Sequence, residues 1–285
     1  MNKERTLSYI LVTLVYALAF IIGVFSYKLF PFHFAINLLL ADVISTIVVF
    51  IFSVVFKNAS MYDPYWSVQP IFIIMGYALS KGLNGPSILA FIAICVWGIR
   101  LTLNWAYTFT SMTHQDWRYT MLKEKTKKLY PIVNFCGIHM FPTLVVYLCV
   151  LPVVYMIHSL SSINIFTVIF FVFALLSVLL QGVSDYQMHK FKKLKTGGLI
   201  RIGLWKYSRH PNYLAEIIMW WAIALLSVIS MKDNYWLFIG ALVNTLMFVF
   251  ISIPMAEKRQ AKRKEGFTQY KKETRMLLPI YKKVK

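Results

Sequence analysis

Charged residues are scarce in this chain of 285 residues. Only 14% of the residues are Asp, Glu, Lys or Arg, whereas a soluble domain contains roughly 25%. The mean hydropathy of +0.62 and the long uncharged runs exclude an ordinary soluble protein and predict a polytopic membrane protein. Its formal charge of +19 therefore indicates topology signals and lipid or phosphate partners rather than nucleic acid.

Several motifs of common functional sites are absent as well. The three cysteines, Cys95, Cys136 and Cys149, are an odd number and form no CxxC pair, so we expect small buried apolar side chains. The six histidines include no HxH or HExxH pair, so we predict no metal site. No GxGxxG or GxxxxGK[ST] motif occurs, which argues against a Rossmann or P-loop nucleotide site.

Eight uncharged or nearly uncharged runs are candidates for membrane spans. A transmembrane helix needs about 20 residues, within a range of about 17–25. The first run is too long for the core of a signal peptide, so we expect it to be retained. The candidate spans cover residues 7–27, 34–56, 66–79, 87–109, 137–157, 163–183, 213–230 and 235–253. The prediction is one all-α membrane domain, a bundle of 7–8 transmembrane helices with a basic cytoplasmic tail over 254–285.

The distribution of basic residues predicts the orientation of these spans. If the N-terminus is cytoplasmic and all eight runs cross, 26 Lys and Arg lie on the cytoplasmic side and 3 on the other. This asymmetry follows the positive-inside rule. Omitting the short third run would put two basic loops on the wrong side. Both termini are therefore predicted to be cytoplasmic.

Polar residues cluster in the half of the spans that this topology makes cytoplasmic. Ionisable groups inside spans are costly in lipid, so we expect them to face a protein interior and to mark a site. Pro211 suits the first turn of span seven, and a helix N-terminus attracts an anion such as a phosphate. The clustered residues are Asp63, Tyr65, Trp66, Gln69, Arg100, Asn104, Asp185, Asn212, Glu216, Glu257 and Arg259.

Most of these residues also have a structural interpretation. Asp63, Asp185 and Glu257 can be interfacial caps, and the long side chain of Arg100 can reach the membrane surface. Asn104 and Gln69 can hold helices together by hydrogen bonds. Asp42 lies in the outer half of span two, away from the cluster, where we expect it to pair locally within the bundle.

Several sequence motifs resemble a known family. They are "YDPYWSVQP" (62–70), "WGIRLTLNWA" (97–106), "DWRY" (116–119), "SDYQMHKFK" (184–192), "GLWKYSRHPNYLAEI" (203–217) and the tail "AEKRQ…FTQYKKETRMLLP". Together they resemble the steroid 5α-reductase superfamily, most closely its bacterial branch, over roughly residues 60–280. The shorter pattern RHPxY…E with the tail also resembles isoprenylcysteine carboxyl methyltransferases.

The resemblance implies an integral-membrane reductase, which we place in the bacterial cytoplasmic membrane. It would use NADPH to reduce a carbon–carbon double bond conjugated to a carbonyl, in a steroid-like or other lipid from the bilayer. Asp63 would donate to the substrate carbonyl, and Tyr65 and Trp66 complete the predicted catalytic group. The residues implied to bind the cofactor are Arg100, Asn104, Arg118, Asp185, Lys192, Arg209, His210, Asn212, Tyr213, Glu216, Glu257, Arg259 and Tyr270.

Two other functions fit parts of the sequence. A lipid or isoprenylcysteine methyltransferase on the same scaffold would use S-adenosylmethionine, but the motifs around Asp63 and Arg100 argue against it. A lipid-binding or transport protein without chemistry would keep an apolar cavity and bind no nucleotide. The cofactor that raises the melting temperature of the purified protein separates these possibilities.

Overall fold

The computed structural model describes residues 3–195 and 197–279. The chain is 81% helical, and the described residues form no strand. They include seven helices long and apolar enough to cross a membrane. The predicted all-α polytopic membrane bundle is thereby confirmed at the level of fold class. The chain divides into two compact units between Leu160 and Ser161, and each is described by itself.

The first unit contains the N-terminal helices. α1 covers Lys3–Tyr27, α2 Phe34–Val55, α3 Tyr65–Lys81, α4 Gly85–Thr108 and α5 Trp117–Thr126. A π-helical stretch, Val133–Met140, leads into α6, Phe141–Ile157. Asn84 starts α4 by accepting a hydrogen bond from the backbone N–H of Ser87, as a good N-cap does.

Two of the predicted spans in this unit differ from the helices observed. α3 has 17 residues instead of 14, yet it remains too short to count among the seven long apolar helices. The predicted fifth span begins at Gly137, but the helical stretch around it runs over Trp117–Ile157. The apolar signal is interrupted there because residues 123–128 are all lysine, glutamate or threonine.

The segment between α2 and α3 folds back into the first unit. The chain reverses at Lys57, which has a positive φ of 54°, and Ala59–Tyr62 form a short 3-10 turn. Met61 and Tyr62 are fully buried, and Tyr16 on α1 donates to the Met61 carbonyl at 2.5 Å. Asn58 holds this turn by donating to the carbonyl of Met112 at 2.5 Å. The segment therefore belongs to the core of the unit.

Glycine permits a close contact between α3 and α4. A Cβ added at Gly98 would lie 2.4 Å from the Ser67 carbonyl oxygen, far inside a normal van der Waals contact. In the same region, the hydroxyls of Ser67 and Thr102 are hydrogen-bonded at 2.9 Å. Gly98 thus permits the close packing of α3 and α4.

The second unit contains the remaining helices. α7 covers Ile165–Lys193 and α8 Pro211–Met231. After α8, the chain forms a short 3-10 turn and then α9, Ile239–Met247. A π-helical stretch leads into α10, Ile253–Arg263, and α11 covers Phe267–Glu273. α8 starts at Pro211 in its first turn, as predicted. α7 continues ten residues beyond the predicted end of span six, so Asp185 lies within the helix instead of closing it.

Candidate functional site

Asp63 lies at the end of the folded-back segment, just before α3. Its side chain is 17% exposed and accepts a short hydrogen bond from the hydroxyl of Tyr119. The guanidinium of Arg118 is 3.5 Å from the same carboxylate oxygen and also pairs with Asp116 at 2.7 Å. Burial raises the pKa of Asp63 to about 6, although Arg118 and the hydrogen bond from Tyr119 oppose the shift.

The other predicted residues of the first unit surround Asp63 less directly. Tyr65 is buried and stacks edge-on against Tyr16, with ring centroids 5.3 Å apart. Trp66 packs against Trp97 at 5.6 Å. Arg100 and Asn104 are half-buried on α4, one turn apart as their spacing predicts. The structure therefore brings Arg118 into contact with Asp63, and it gives Tyr65 and Trp66 aromatic packing contacts.

Gln69 forms a hydrogen bond with a residue on another helix of the first unit. Gln69 was predicted to lie with Asp63 in the cytoplasmic half of the spans, and Asp42 in the outer half of span two. In the structure, the Gln69 amide donates a short hydrogen bond to Asp42 on α2. The expectation that Asp42 pairs within the bundle was correct, and so was the structural interpretation of Gln69 as a residue that holds helices together by a hydrogen bond.

A buried ion pair ties the start of α8 to the C-terminal region of the second unit. Arg209 donates to one Glu257 carboxylate oxygen through Nε at 2.8 Å and lies 2.7 Å from it through Nη2. Its Nη1 donates a short bond to the Thr274 carbonyl and a longer one, 3.4 Å, to the Lys271 carbonyl. The Lys271 ammonium is 3.1 Å from the other oxygen of Glu257. The side chains of Arg209 and Glu257 are 6% and 9% exposed.

His210 and Tyr270 extend this contact between the α8 start and the tail. His210 Nε2 lies 3.2 Å from Glu257, and the His210 ring stacks on Tyr213 with centroids 5.3 Å apart. Tyr270 is buried and donates to the Trp205 carbonyl at 2.5 Å, and burial raises its pKa to about 12. Tyr270 is therefore a neutral hydrogen-bond donor that fastens α11 to the loop before α8.

The remaining predicted residues lie on α7, α8 and α10. Glu216 is buried and accepts from the indole N–H of Trp220 at 3.0 Å, one turn later in the same helix. Arg209, which lies just before the same helix, pairs with Glu257. Half-buried positions hold Asp185, Asn212, Tyr213 and Arg259, and Lys192 is exposed.

The structure thus brings five of the predicted residues together in two clusters, one in each unit. Asp63 and Arg118 form one, and Arg209, His210 and Glu257 form the other. Sequence reasoning missed Tyr119, although it follows directly after Arg118 in the motif "DWRY". It also missed the backbone carbonyls of Lys271 and Thr274, because no side-chain pattern marks a carbonyl that accepts from an arginine.

Comparisons with known proteins identify a family but no activity. A family model described as "Protein of unknown function (DUF1295)" matches residues 49–274. An uncharacterized protein of Schizosaccharomyces pombe is 25% identical over 251 residues, covering 77% of this chain and 70% of that protein. No solved structure matches this chain. The family model covers most of the chain, including both clusters, so the chain belongs to the DUF1295 family, the steroid 5α-reductase-like group.

Proposed function

We propose that this chain is an NADPH-dependent membrane reductase of a carbon–carbon double bond conjugated to a carbonyl in a steroid-like or other lipid. Membership of the steroid 5α-reductase-like group supports the reaction class. The observation that carries the proposal is Asp63, a mostly buried carboxyl group whose pKa is raised to about 6. Both termini and the cofactor-binding residues would face the cytoplasm, as the basic residues predict.

The environment of Asp63 suits a proton donor to a carbonyl oxygen. Reduction of an enone develops negative charge on that oxygen, and a donor placed there stabilises the transition state. A carboxyl group with a pKa near the working pH combines a useful protonated fraction with a strong driving force for proton transfer. Tyr119 and Arg118 contact the same carboxylate oxygen and hold Asp63 in one orientation.

The second unit offers donors of the kinds that NADPH requires. Lys192 and Lys206 are exposed cations, which suit phosphate groups. Asn212 and Tyr213 are half-buried at the start of α8 and suit hydrogen bonds to a polar head. Arg209, Glu257 and Tyr270 already have protein partners, so we assign them to holding this frame. When bound, the cofactor supplies a hydride, and the chain's residues supply its binding and orientation.

An assay of membranes containing the full-length protein tests the proposed reaction. NADPH oxidation would be followed with a panel of 3-oxo-Δ4 steroids and other enone lipids, and the reduced product identified by mass spectrometry. We expect oxidation that depends on one of these lipids, together with a rise in melting temperature of the purified protein on addition of NADPH. A melting temperature raised by S-adenosylmethionine and not by NADPH would contradict the proposal.

NADPH is expected to bind more tightly than NADH. The exposed cations of residues 190–201, including Lys190 and Lys192, can form charge-assisted hydrogen bonds with the 2′-phosphate of NADPH, a group that NADH lacks. Dissociation constants measured at moderate salt for both nucleotides check this expectation. Equal affinities would refute it.

Glu216→Gln is expected to weaken NADPH binding by about tenfold or more while the fold survives. A hydrogen bond from the cofactor to the charged carboxylate of Glu216 would contribute about 1.5–3 kcal/mol to the free energy of binding. Glutamine keeps one oxygen that can accept from Trp220, but it presents donors in place of the second oxygen. Cofactor affinity and apo-protein melting temperature should both be measured on the variant. Lower thermal stability with normal affinity would show that Glu216 has only a structural role.

A further inference from the structure

A cavity of about 170 Å³ lies in the first unit, between α1, α2 and α3. Its wall follows α1 from Tyr16 to Tyr27, a distance of about 16 Å at 1.5 Å per residue. The wall is mostly apolar and aromatic, with Phe20, Leu38 and Phe72 among its residues. An apolar cavity of about 150 Å³ is large enough to bind benzene, so this cavity can hold part of a lipid.

α1, which forms one wall of the cavity, also carries exposed apolar side chains. Val24 lines the cavity and is exposed. Phe25 and Ile21, which flank it on the same helix, are also exposed. On a membrane-spanning helix such side chains face lipid. A ligand would therefore enter from the bilayer, which restricts the candidates to molecules that partition into lipid.

Asp42 and Gln69 form a buried polar pair on the cavity wall. Each residue is only 4% exposed, and both line the cavity. The Gln69 amide nitrogen bonds to one Asp42 oxygen. The other Asp42 oxygen, Oδ1, and the Gln69 oxygen, Oε1, are buried without a hydrogen-bond partner among the described residues. Buried polar atoms without partners cost free energy, so an occupant that binds them is favoured.

Other polar groups on the wall already have protein partners. Ser45 donates to the carbonyls of Ala19 and Ala41, at 3.0 and 2.9 Å. Tyr16 donates to the Met61 carbonyl, and Ser80 to the Tyr77 carbonyl at 2.8 Å. Among the buried polar side-chain atoms of this wall, within the part of the chain that the structure describes, only Asp42 Oδ1 and Gln69 Oε1 lack a hydrogen-bond partner.

We propose that this cavity binds a membrane lipid alcohol, with its hydroxyl group bonded to Asp42 and Gln69. A hydroxyl group both donates and accepts, so it can satisfy the amide oxygen and either protonation state of the carboxyl group. A ketone or an ether cannot donate, and it would leave the Gln69 oxygen unpaired. An ammonium group can donate, but Lys28 on the same wall repels a cationic ligand.

The cavity lies beside the proposed reductase chemistry, and Tyr65 is the one residue of the predicted catalytic group that lines it. Asp63 and its partners Arg118 and Tyr119 do not line the cavity. Alcohol binding is therefore expected whether or not the protein reduces an enone, and its failure would leave the reductase proposal intact.

Photolabelling of the purified full-length protein in lipid nanodiscs tests the proposal. The probe is a long-chain primary alcohol that carries a diazirine in its chain, and labelled peptides are mapped by mass spectrometry. The competitors are 1-dodecanol, its methyl ether, 2-dodecanone and dodecylamine. We expect labelling of α1–α3 and competition by the alcohol at least about tenfold stronger than by the other three, the size of effect that a buried hydrogen bond produces.

Gly76 allows the cavity to be filled without disturbing the helix. It lines the cavity, and an added Cβ meets nothing within 4 Å. Gly76→Leu should therefore fold normally and lower labelling of α1–α3 at least tenfold. Gly137→Leu is the matched control, because Gly137 is exposed and an added Cβ meets only Val133, at 3.9 Å. That variant should be labelled like the unmodified protein.

A second variant separates hydroxyl recognition from apolar binding. The double substitution Asp42→Leu with Gln69→Leu removes both polar partners together, which buried pairs tolerate better than loss of one partner. It should bind the alcohol and the methyl ether equally. Equal competition by alcohol and ether in the unmodified protein would overturn the proposal. So would stronger competition by the ketone or the amine, or undiminished labelling of a folded Gly76→Leu variant.

Discussion

Replacing Asp63 by Asn should lower the turnover of the enone substrate by about 10²–10³-fold, the usual cost of removing one donor to a developing oxyanion. Asparagine keeps the shape of the side chain but has no transferable proton. It also retains an oxygen that can accept from Tyr119, which now donates to Asp63, so the local structure should survive. Asp63 is proposed to contact the substrate carbonyl and not the cofactor, so NADPH affinity should change little.

Asp116→Asn provides the matched control for this substitution. Asp116 is two residues from Arg118 and pairs with it at 2.7 Å, so both variants remove one negative charge beside the same guanidinium. Asn is as good an N-cap as Asp, so the bond that Asp116 accepts from the Arg118 N–H can persist. Turnover of Asp116→Asn should stay close to normal. If Asp63→Asn also retained full turnover, the proton would have to come from Tyr62, Tyr65 or water.

The pH dependence of turnover gives an independent test of the same residue. Burial raises the pKa of Asp63 to about 6, and only the protonated form can donate. The active fraction therefore decreases as the pH rises through about 6, and turnover limited by chemistry should fall with it. The Asp63→Asn variant has no proton to lose and should show a low, flat profile in the same range. A descending limb that persisted in this variant would assign the ionisation to another group.

The spans were predictable because the apolar signal of lipid burial is strong. Long uncharged runs located the helices from Lys3–Tyr27 to Pro211–Met231, and Pro211 marked the start of α8 correctly. Helix ends outside the apolar region carry no such signal. α7 extends ten residues past the predicted end because its polar last turns contact the segment that follows. For example, Gln187 on α7 accepts a hydrogen bond from the Leu204 N–H at 2.9 Å.

The contacts of the candidate site residues were harder to predict than the membrane spans. Prediction of spans from hydropathy places each residue by its depth along its own span. It also assumes that every loop stays outside the bundle. The segment after Lys57 violates this assumption, since Met61 and Tyr62 are buried in the core, and Gln69 meets Asp42. Likewise, nothing in the sequence indicated that Arg209 would use its donors on Glu257 and on tail carbonyls.

Glu257→Gln should cause the largest loss of stability among the substitutions considered. Glu257 and Arg209 are both nearly fully buried and bonded at 2.7–2.8 Å. Removing one partner of a buried pair leaves the other charge uncompensated, which typically costs 3–5 kcal/mol. Thermal unfolding in detergent measures the change. Trypsin cleavage after the basic residues of α10 and α11 should also accelerate, because the Arg209 contacts hold α11 and the residues after it against the start of α8.

Glu273→Gln distinguishes this buried pair from an ordinary ion pair in the same region. Glu273 also pairs with an arginine, Arg201, at 3.2 Å, but the two side chains are 37% and 40% exposed. Exposed pairs contribute about 0–1 kcal/mol because water screens the charges. The control should therefore unfold and be cleaved almost like the unmodified protein. If Glu257→Gln were no less stable than Glu273→Gln, Arg209 would not depend on Glu257, and its guanidinium would be free to bind an anionic ligand as the sequence pattern predicts.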